Sequence, residues 1–397
     1  MSSLPPPEPR LIHGEPSWSF SSDRVEAAIT RKGGHLAPVR FRLQGHEGEG
    51  GERIVEPYSI APWAEEAPDI PPVLQALRGD FFCAPFGGNE TPYRGEKHPA
   101  HGESANAPWQ WEELRQADGV TTLHLSLETT IRKGRIDKEI TLRDGHTALY
   151  CRHRLSGMKG KMSFGHHAML HFPDEPESGR ISTSRLYYGQ VAPLPLEQPA
   201  EGGYSSLEPG ALFSRLDRVP AKEGKKIDLS RYPARRGFED LVMTVHWDRH
   251  DLAWTAVAFP AQGYVWFTLK DPRVLQSTVF WISNGGRHYA PWSGRHVNVM
   301  GIEDVTSWFH YGLAESAKPN ELRRNKLQTV RELDPQAPFD VNYIMGVAAI
   351  PPEFQRVRAI RAGKGGVTLV SSDRHRVEVP LDLDFLYRGG ENGAPNP

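Results

Sequence analysis

Along most of this chain apolar residues recur at every second position. In VTTLHLSLETTI, Val120 to Ile131, the residues Leu123, Leu125, Leu127 and Ile131 alternate with Thr122, His124, Ser126, Glu128 and Thr130, which makes one sheet face apolar and the other polar. This is the pattern of a half-buried strand. After a Lys-Gly turn, Ile136, Ile140 and Leu142 alternate with Asp137, Glu139 and Thr141, and Arg143-Asp144-Gly145 turns the chain into HTALYCRHRLSG; three strands in a meander follow. Comparable runs cover 24–30, 36–43, 109–115, 162–172, 240–247, 252–259, 264–269, 274–283, 367–371 and 375–379. About a dozen short strands, with 38 glycines and 34 prolines marking turns, predict an all-β fold, a large twisted antiparallel β-sandwich.

Helical periodicity is scarce. Pro72 to Leu77 predicts a turn or two, and Asp304 to Glu315 reads as a short helix with Asp304 or Thr306 as its cap. The stretch 186–236, rich in Pro, Gly and charge, predicts long loops with short strands over one end of the sandwich. GKGG at 363–366 reads as a hairpin turn. The expected organisation is a loose N-terminal segment (1–16), a single sandwich domain over 17–388 with C-terminal strands from about residue 339, and a loose tail at 389–397.

Composition narrows the partners. The 397 residues carry 47 basic and 49 acidic side chains, interspersed, with a formal net charge of -2, so no broad positive field exists to hold nucleic acid or an anionic membrane. The opening MSSLPPPEPRLIHGEPSW lacks a basic region followed by an apolar stretch, and no uncharged apolar run approaches the roughly 20 residues of a spanning helix. A cytoplasmic protein is expected. The two cysteines, Cys83 and Cys151, are too few for a disulfide framework or a cysteine zinc site and are read as buried small apolar side chains.

Histidines carry the candidate chemistry. HPAHGESANAPW places His98 and His101 near Glu103, and HHAMLH places His166, His167 and His171 in one short run. A metal enzyme could draw ligands from these, but on strands the spacings lack the ready geometry of a helical pair. Acid-base histidines, or polar residues bonded to backbone at strand ends, are the alternatives.

The ordered set LRGDFFCAPFGGN, HPAHGESANAPWQW, KMSFGHHAMLHF, RRGFEDLVM and NVMGIEDVTSW resembles the galactose mutarotase-like superfamily: aldose 1-epimerases and their hexose-6-phosphate epimerase relatives. The resemblance spans roughly residues 20–316. It implies a supersandwich fold with few short helices and a sugar site without cofactor or metal. It matches Arg78, Gly79, Phe86 and Gly87, then His101, Gly102 and Trp109, then His167, Asp240 and Glu303, to the family's site segments. The run after His167 is Ala-Met-Leu where the family has Pro-Tyr-Phe, and Glu103 stands where phosphate-binding relatives often have other residues, which disfavours a phosphorylated sugar.

The roles implied are Glu303 as base, His167 as acid across a pyranose width, and His101 on the ring side. Asp240 and Arg78 would orient hydroxyls, with Trp109, Trp281 and Trp308 as stacking surfaces. The expected partner is a small carbohydrate whose anomers the protein interconverts; the alternative is a noncatalytic carbohydrate-binding protein on the same fold, and a histidine-ligated metal enzyme is the third reading.

Overall fold

The alternating runs become strands in the computed structural model, which describes residues 7–44, 51–66 and 69–389. In the expected meander Val120–Thr129, Gly134–Arg143 and Ala148–Ser156 pair antiparallel in order. They belong to a nine-stranded sheet that has Gln110–Ala117 at one edge. It continues from the meander through Phe339–Ala349, Tyr264–Lys270, Ala253–Phe259 and Gly179–Thr183 to Arg231–Tyr232. The opposing eight-stranded sheet runs Leu212–Phe213, Leu186–Val191, Phe238–His246, Ser277–Asn284, Val299–Thr306, Phe164–His166 and Phe82–Cys83, with Ala168–His171 also pairing Val299–Thr306.

Period two then sorts the side chains of the second sheet. Val242, Phe280, Ile282, Met300 and Ile302 face the nine-stranded sheet and join its residues in one buried cluster. Leu241, Met243, Val245, Val279, Trp281, Val299 and Val305 take the alternate positions, and they pack in a second cluster with Trp63, Leu77, Phe81, Phe86 and Trp292. The eight-stranded sheet is therefore buried on both faces, the outer one beneath loops. That outer face carries the site.

Three expectations change. The N-terminal segment 1–16 contains strands Arg10–Ile12 and Glu15–Ser21, which open a five-stranded sheet with Val25–Thr30, Leu36–Gln44 and Glu52–Val55. Buried Glu15 accepts an ion pair from Lys32 at 2.9 Å, and this holds the entry strand in place. Residues 1–6 and 390–397, the rest of both expected loose ends, lie outside the described residues.

Second, residues 304–306 end the central strand Val299–Thr306, and the helix is confined to Leu313–Ala317 after Gly312. Tertiary pairing overrides the capping signal, because Asp304 points between the sheets and accepts bonds from Lys270, Thr268, Thr278 and Tyr343. Third, 162–172 is three short strands, Gly160–Met162, Phe164–His166 and Ala168–His171. The C-terminal strands divide: Phe339–Ala349 enters the large sheet, while Val357–Gly363, Gly366–Ser371 and Arg376–Pro380 form a separate sheet whose first hairpin turns at the GKGG segment. No helix among the described residues is long and apolar enough to cross a membrane.

Candidate active site

The strand Val299–Thr306 supplies the first group. Val299, Gly301, Glu303 and Val305 share the outer face, so Glu303 stands among apolar neighbours, 2% exposed. Burial alone drives its carboxyl well above the usual carboxylate range. Gly301, two residues back, leaves room for it: a Cβ there would lie 2.6 Å from Glu303 Oε1 and 3.2 Å from Trp281 Cβ.

The facing strand supplies the second. Gly165 pairs with Val305 and Ala168 with Ile302, and continuing this register sets His167 opposite Glu303 and His166 opposite Asp304. At His167 the ladder is interrupted, its N–H donating to Phe81 O at 2.9 Å. Alternation sends His166 into the sandwich, where Nδ1 meets Asp80 Oδ2 at 2.8 Å, and His167 outward, where Nε2 lies 3.3 Å from Glu303 Oε1. The His167 ring stacks on Phe81 at 4.5 Å, and His35 stacks on the other side of that ring at 4.0 Å. Burial holds His167 well below the ordinary histidine range, with His101 adding to the effect.

His101 comes from a loop with little freedom. Its own φ is 61° and that of Gly102 is 76°; a Cβ on Gly102 would come within 2.1 Å of Ala84 O, so only glycine fits. The ring stands edge-on to His167, centroids 5.0 Å apart, with Nδ1 3.4 Å from Cys83 Sγ. Its Nε2 makes no hydrogen bond among the described residues. Burial lowers its pKa to about 3.

His101, His167, Glu303 and Trp281 line one cavity of about 200 Å³ with Arg287 and His310. The remainder of its wall is apolar, including Val73, Leu77, Leu196, Leu241 and Trp292. Arg287 lies over Trp292, 4.5 Å from the ring centre, and its Nε donates to Glu197 at 2.6 Å. Its two Nη groups make no hydrogen bond among the described residues. His310, at a pKa of about 4 through burial, adds a second imidazole. Neither Arg287 nor His310 was picked out by the sequence reading, since each sits in a loop with no periodicity to place it.

Four sequence assignments are corrected. Glu303 and His167 do not face each other across a sugar-sized space but touch on one wall, because register makes them cross-strand neighbours. Arg78 is fully buried and donates to the carbonyls of Ile12, His13 and Ala76, so its guanidinium fastens the N-terminal turn rather than a ligand. Asp240 is on the alternate side of its strand from Leu241 and accepts from Ser206 N, Ser206 Oγ and Leu207 N. Its neighbour Glu239 takes the site side, accepting from Trp281 Nε1 and Ser283 Oγ at 3.0 Å each; burial raises its pKa to about 7. Trp109 is core, its Nε1 bonded to Ser104 O and its ring beneath Lys138.

The other flagged residues are engaged elsewhere. Glu103 accepts from the Thr130 and Ile131 backbone N–H groups, so its carboxylate secures a loop instead of meeting a ligand. His98 pairs with Glu96 at 3.0 Å. Among the described residues no three His, Cys, Asp or Glu side chains gather as a set that could hold a metal ion. Cys83 and Cys151 are both buried and free.

No family model and no curated protein sequence matches the chain. Solved structures do. A galactose mutarotase related enzyme from Lactobacillus acidophilus superposes with TM-score 0.52 at 13% identity, covering 84% of this chain and 98% of that one. A putative aldose 1-epimerase from Escherichia coli K12 gives 0.54 at 12%, over 84% and 99%. A putative aldose 1-epimerase from Klebsiella pneumoniae gives 0.55 at 14%, over 83% and 77%. At such identities the likeness carries architecture and not activity, and what it establishes is that this chain has the galactose mutarotase-like fold.

Proposed function

We propose that the protein binds a small carbohydrate, an aldose or a related cyclic hemiacetal, and interconverts its anomers by opening and closing the ring. The observation that carries this is the Glu303–His167 pair beside His101 in a cavity that Trp281 also lines. Ring opening takes the proton from the anomeric hydroxyl and delivers one to the ring oxygen; the open aldehyde turns about its C1–C2 bond and closes on the other face. No net proton is gained or lost. Trp281 offers the apolar ring for a sugar C–H face.

Burial favours the uncharged forms of both groups, a protonated Glu303 carboxyl beside a neutral His167 imidazole. Glu303 is then the acid toward the ring oxygen. His101 is the base toward the anomeric hydroxyl, because a tautomer with Nδ1–H directed at Cys83 Sγ leaves Nε2 as an acceptor. Opening leaves a carboxylate and an imidazolium, which stabilise each other in an apolar surround, and closing returns both protons. His167 positions the carboxyl.

Saturation-transfer NMR on free aldoses tests the reading, since it reports binding and anomeric exchange together. Glu303→Gln and His101→Asn should each slow exchange by about 10²–10⁴-fold while sugar still binds. A sugar that binds in this cavity with exchange no faster than in buffer, for every aldose tried, makes the protein a noncatalytic binding module.

A further inference from the structure

A second concavity, about 410 Å³, lies where the C-terminal three-stranded sheet meets the sandwich, and it shares no residue with the cavity above. Its wall is built from the end of Gly179–Thr183 and the start of Leu186–Val191, the loop after Leu212–Phe213, and the first residues of Val357–Gly363. Four arginines line it against one aspartate. Arg215 pairs with that aspartate, Asp217. Arg185, Arg356 and Arg358 make no side-chain hydrogen bond or ion pair among the described residues.

A guanidinium is a planar fork of donors matched to oxyanions. Three such forks are left without acceptors around one concavity, while Arg215 beside them is engaged by Asp217. A separate observation points the same way. Ser182 is 6% exposed, lines the concavity, and its Oγ is buried with no partner. A buried hydroxyl without a partner costs about 1–3 kcal/mol, and an acceptor seated in the groove would remove that cost. The volume falls within the ~300–1,000 Å³ range of small-ligand pockets, and it exceeds what a bare tetrahedral ion fills.

We propose that this groove binds a small phosphate ester, with the phosphate held by Arg185, Arg356 and Arg358 and the hydroxylated remainder of the ligand against the serine and threonine side chains of the wall. Nothing in the proposal depends on the sugar chemistry of the first cavity. The groove is open to solvent, so binding weakens as salt rises.

Isothermal calorimetry on the full chain, at low ionic strength, with glycerol 3-phosphate, inorganic phosphate, inorganic sulfate and glycerol as probes, tests it. Glycerol 3-phosphate should bind at one site, more tightly than inorganic phosphate, and glycerol alone should not bind. Arg185→Glu and Arg358→Glu, both at exposed positions, should each weaken the ester by about tenfold or more with thermal unfolding unchanged. Three outcomes overturn the proposal: no saturable binding, affinity untouched by both variants, or equal binding of phosphate, sulfate and ester, which would mark an adventitious ion only.

Discussion

Behind Glu303, the next residue along its strand offers a sharp test of how the sheet is held. Asp304 is fully buried and takes four donors: Lys270 Nζ, Thr268 Oγ1 at 2.9 Å, Thr278 Oγ1 at 2.6 Å and Tyr343 Oη at 2.7 Å. Lys270 Nζ, equally buried, also donates to Ser277 O at 2.7 Å and Thr278 Oγ1 at 2.8 Å. Burial would push the Asp304 carboxyl up, but Lys270, with the hydroxyls of Thr278 and Tyr343, holds it below its ordinary range. Its contribution to stability is therefore present at neutral pH and is lost as pH falls through the folded-state value. Asp304→Ala strands an ammonium in the sandwich, which costs about 3–5 kcal/mol, and leaves the Thr268 and Tyr343 hydroxyls without this acceptor at roughly 1–3 kcal/mol each if they find no other. Lys270→Met leaves a carboxylate that still accepts from three hydroxyls, so it should cost less. The double variant should be less unstable than the sum of the two, because each single variant abandons a partner that the double variant does not. Urea unfolding at neutral pH, followed by tryptophan fluorescence, measures the cycle. Additivity within about 0.5 kcal/mol, or a larger loss for Lys270→Met than for Asp304→Ala, would refute the assignment of Asp304 as the centre of this network.

Other expectations concern the outer face. Gly301→Ala places a Cβ 2.6 Å from Glu303 Oε1 and should cut anomeric exchange more than tenfold for about 1–3 kcal/mol of stability; unchanged exchange would show that the Glu303 position is not critical. Glu239, raised from 4.5 to about 7, makes the fold prefer its protonated form. Its contribution is whole below pH 4.5 and fades as pH rises to about 7, by on the order of 3 kcal/mol, so urea midpoints of Glu239→Gln should fall less than wild type across that window. Asp240→Asn should reduce stability through the Ser206–Leu207 loop and leave sugar affinity in NMR titrations unchanged, whereas weakened sugar binding would return Asp240 to the site.

Strand content was legible because alternation survives in one dimension: the runs at 120–131, 252–259 and 264–269 match strands Val120–Thr129, Ala253–Phe259 and Tyr264–Lys270 within two residues at each end. The short helix at 304–315 misled because a capping residue and a buried ion-pair residue look alike until a partner strand is present. In the site, Glu303, His101 and His167 could be named from ordered segments, Trp281 only as a candidate stacking aromatic, and the four do line one cavity. Arg78 and Asp240 fit the same segments, yet their partners, the carbonyls of Ile12 and His13 and the amides of Ser206 and Leu207, are backbone groups 33 to 66 positions away that carry no sequence signature. The adjacency of Glu239 and Asp240 shows the limit: one position decides the face, and a motif match cannot resolve one position.

The same arithmetic gives the shared register of His166–His167 and Asp304–Glu303 a further meaning. The inner pair belongs to the core and the outer pair to the cavity, on the same two strands. Inserting or deleting a single residue in either strand would exchange the inner and outer groups of that strand, turning Glu303 inward and Asp304 outward in one case, His167 inward and His166 outward in the other, and would break both pairs. Such a lesion would be lost through misfolding before it could appear as a protein of altered chemistry. The loops that supply Arg287, His310 and Leu196 belong to no strand ladder, Arg287 making only a single bridge with Gly203, so their length and composition can change without shifting a register. Descent within this architecture should therefore hold the Glu303–His167 wall fixed while the loops over the cavity vary.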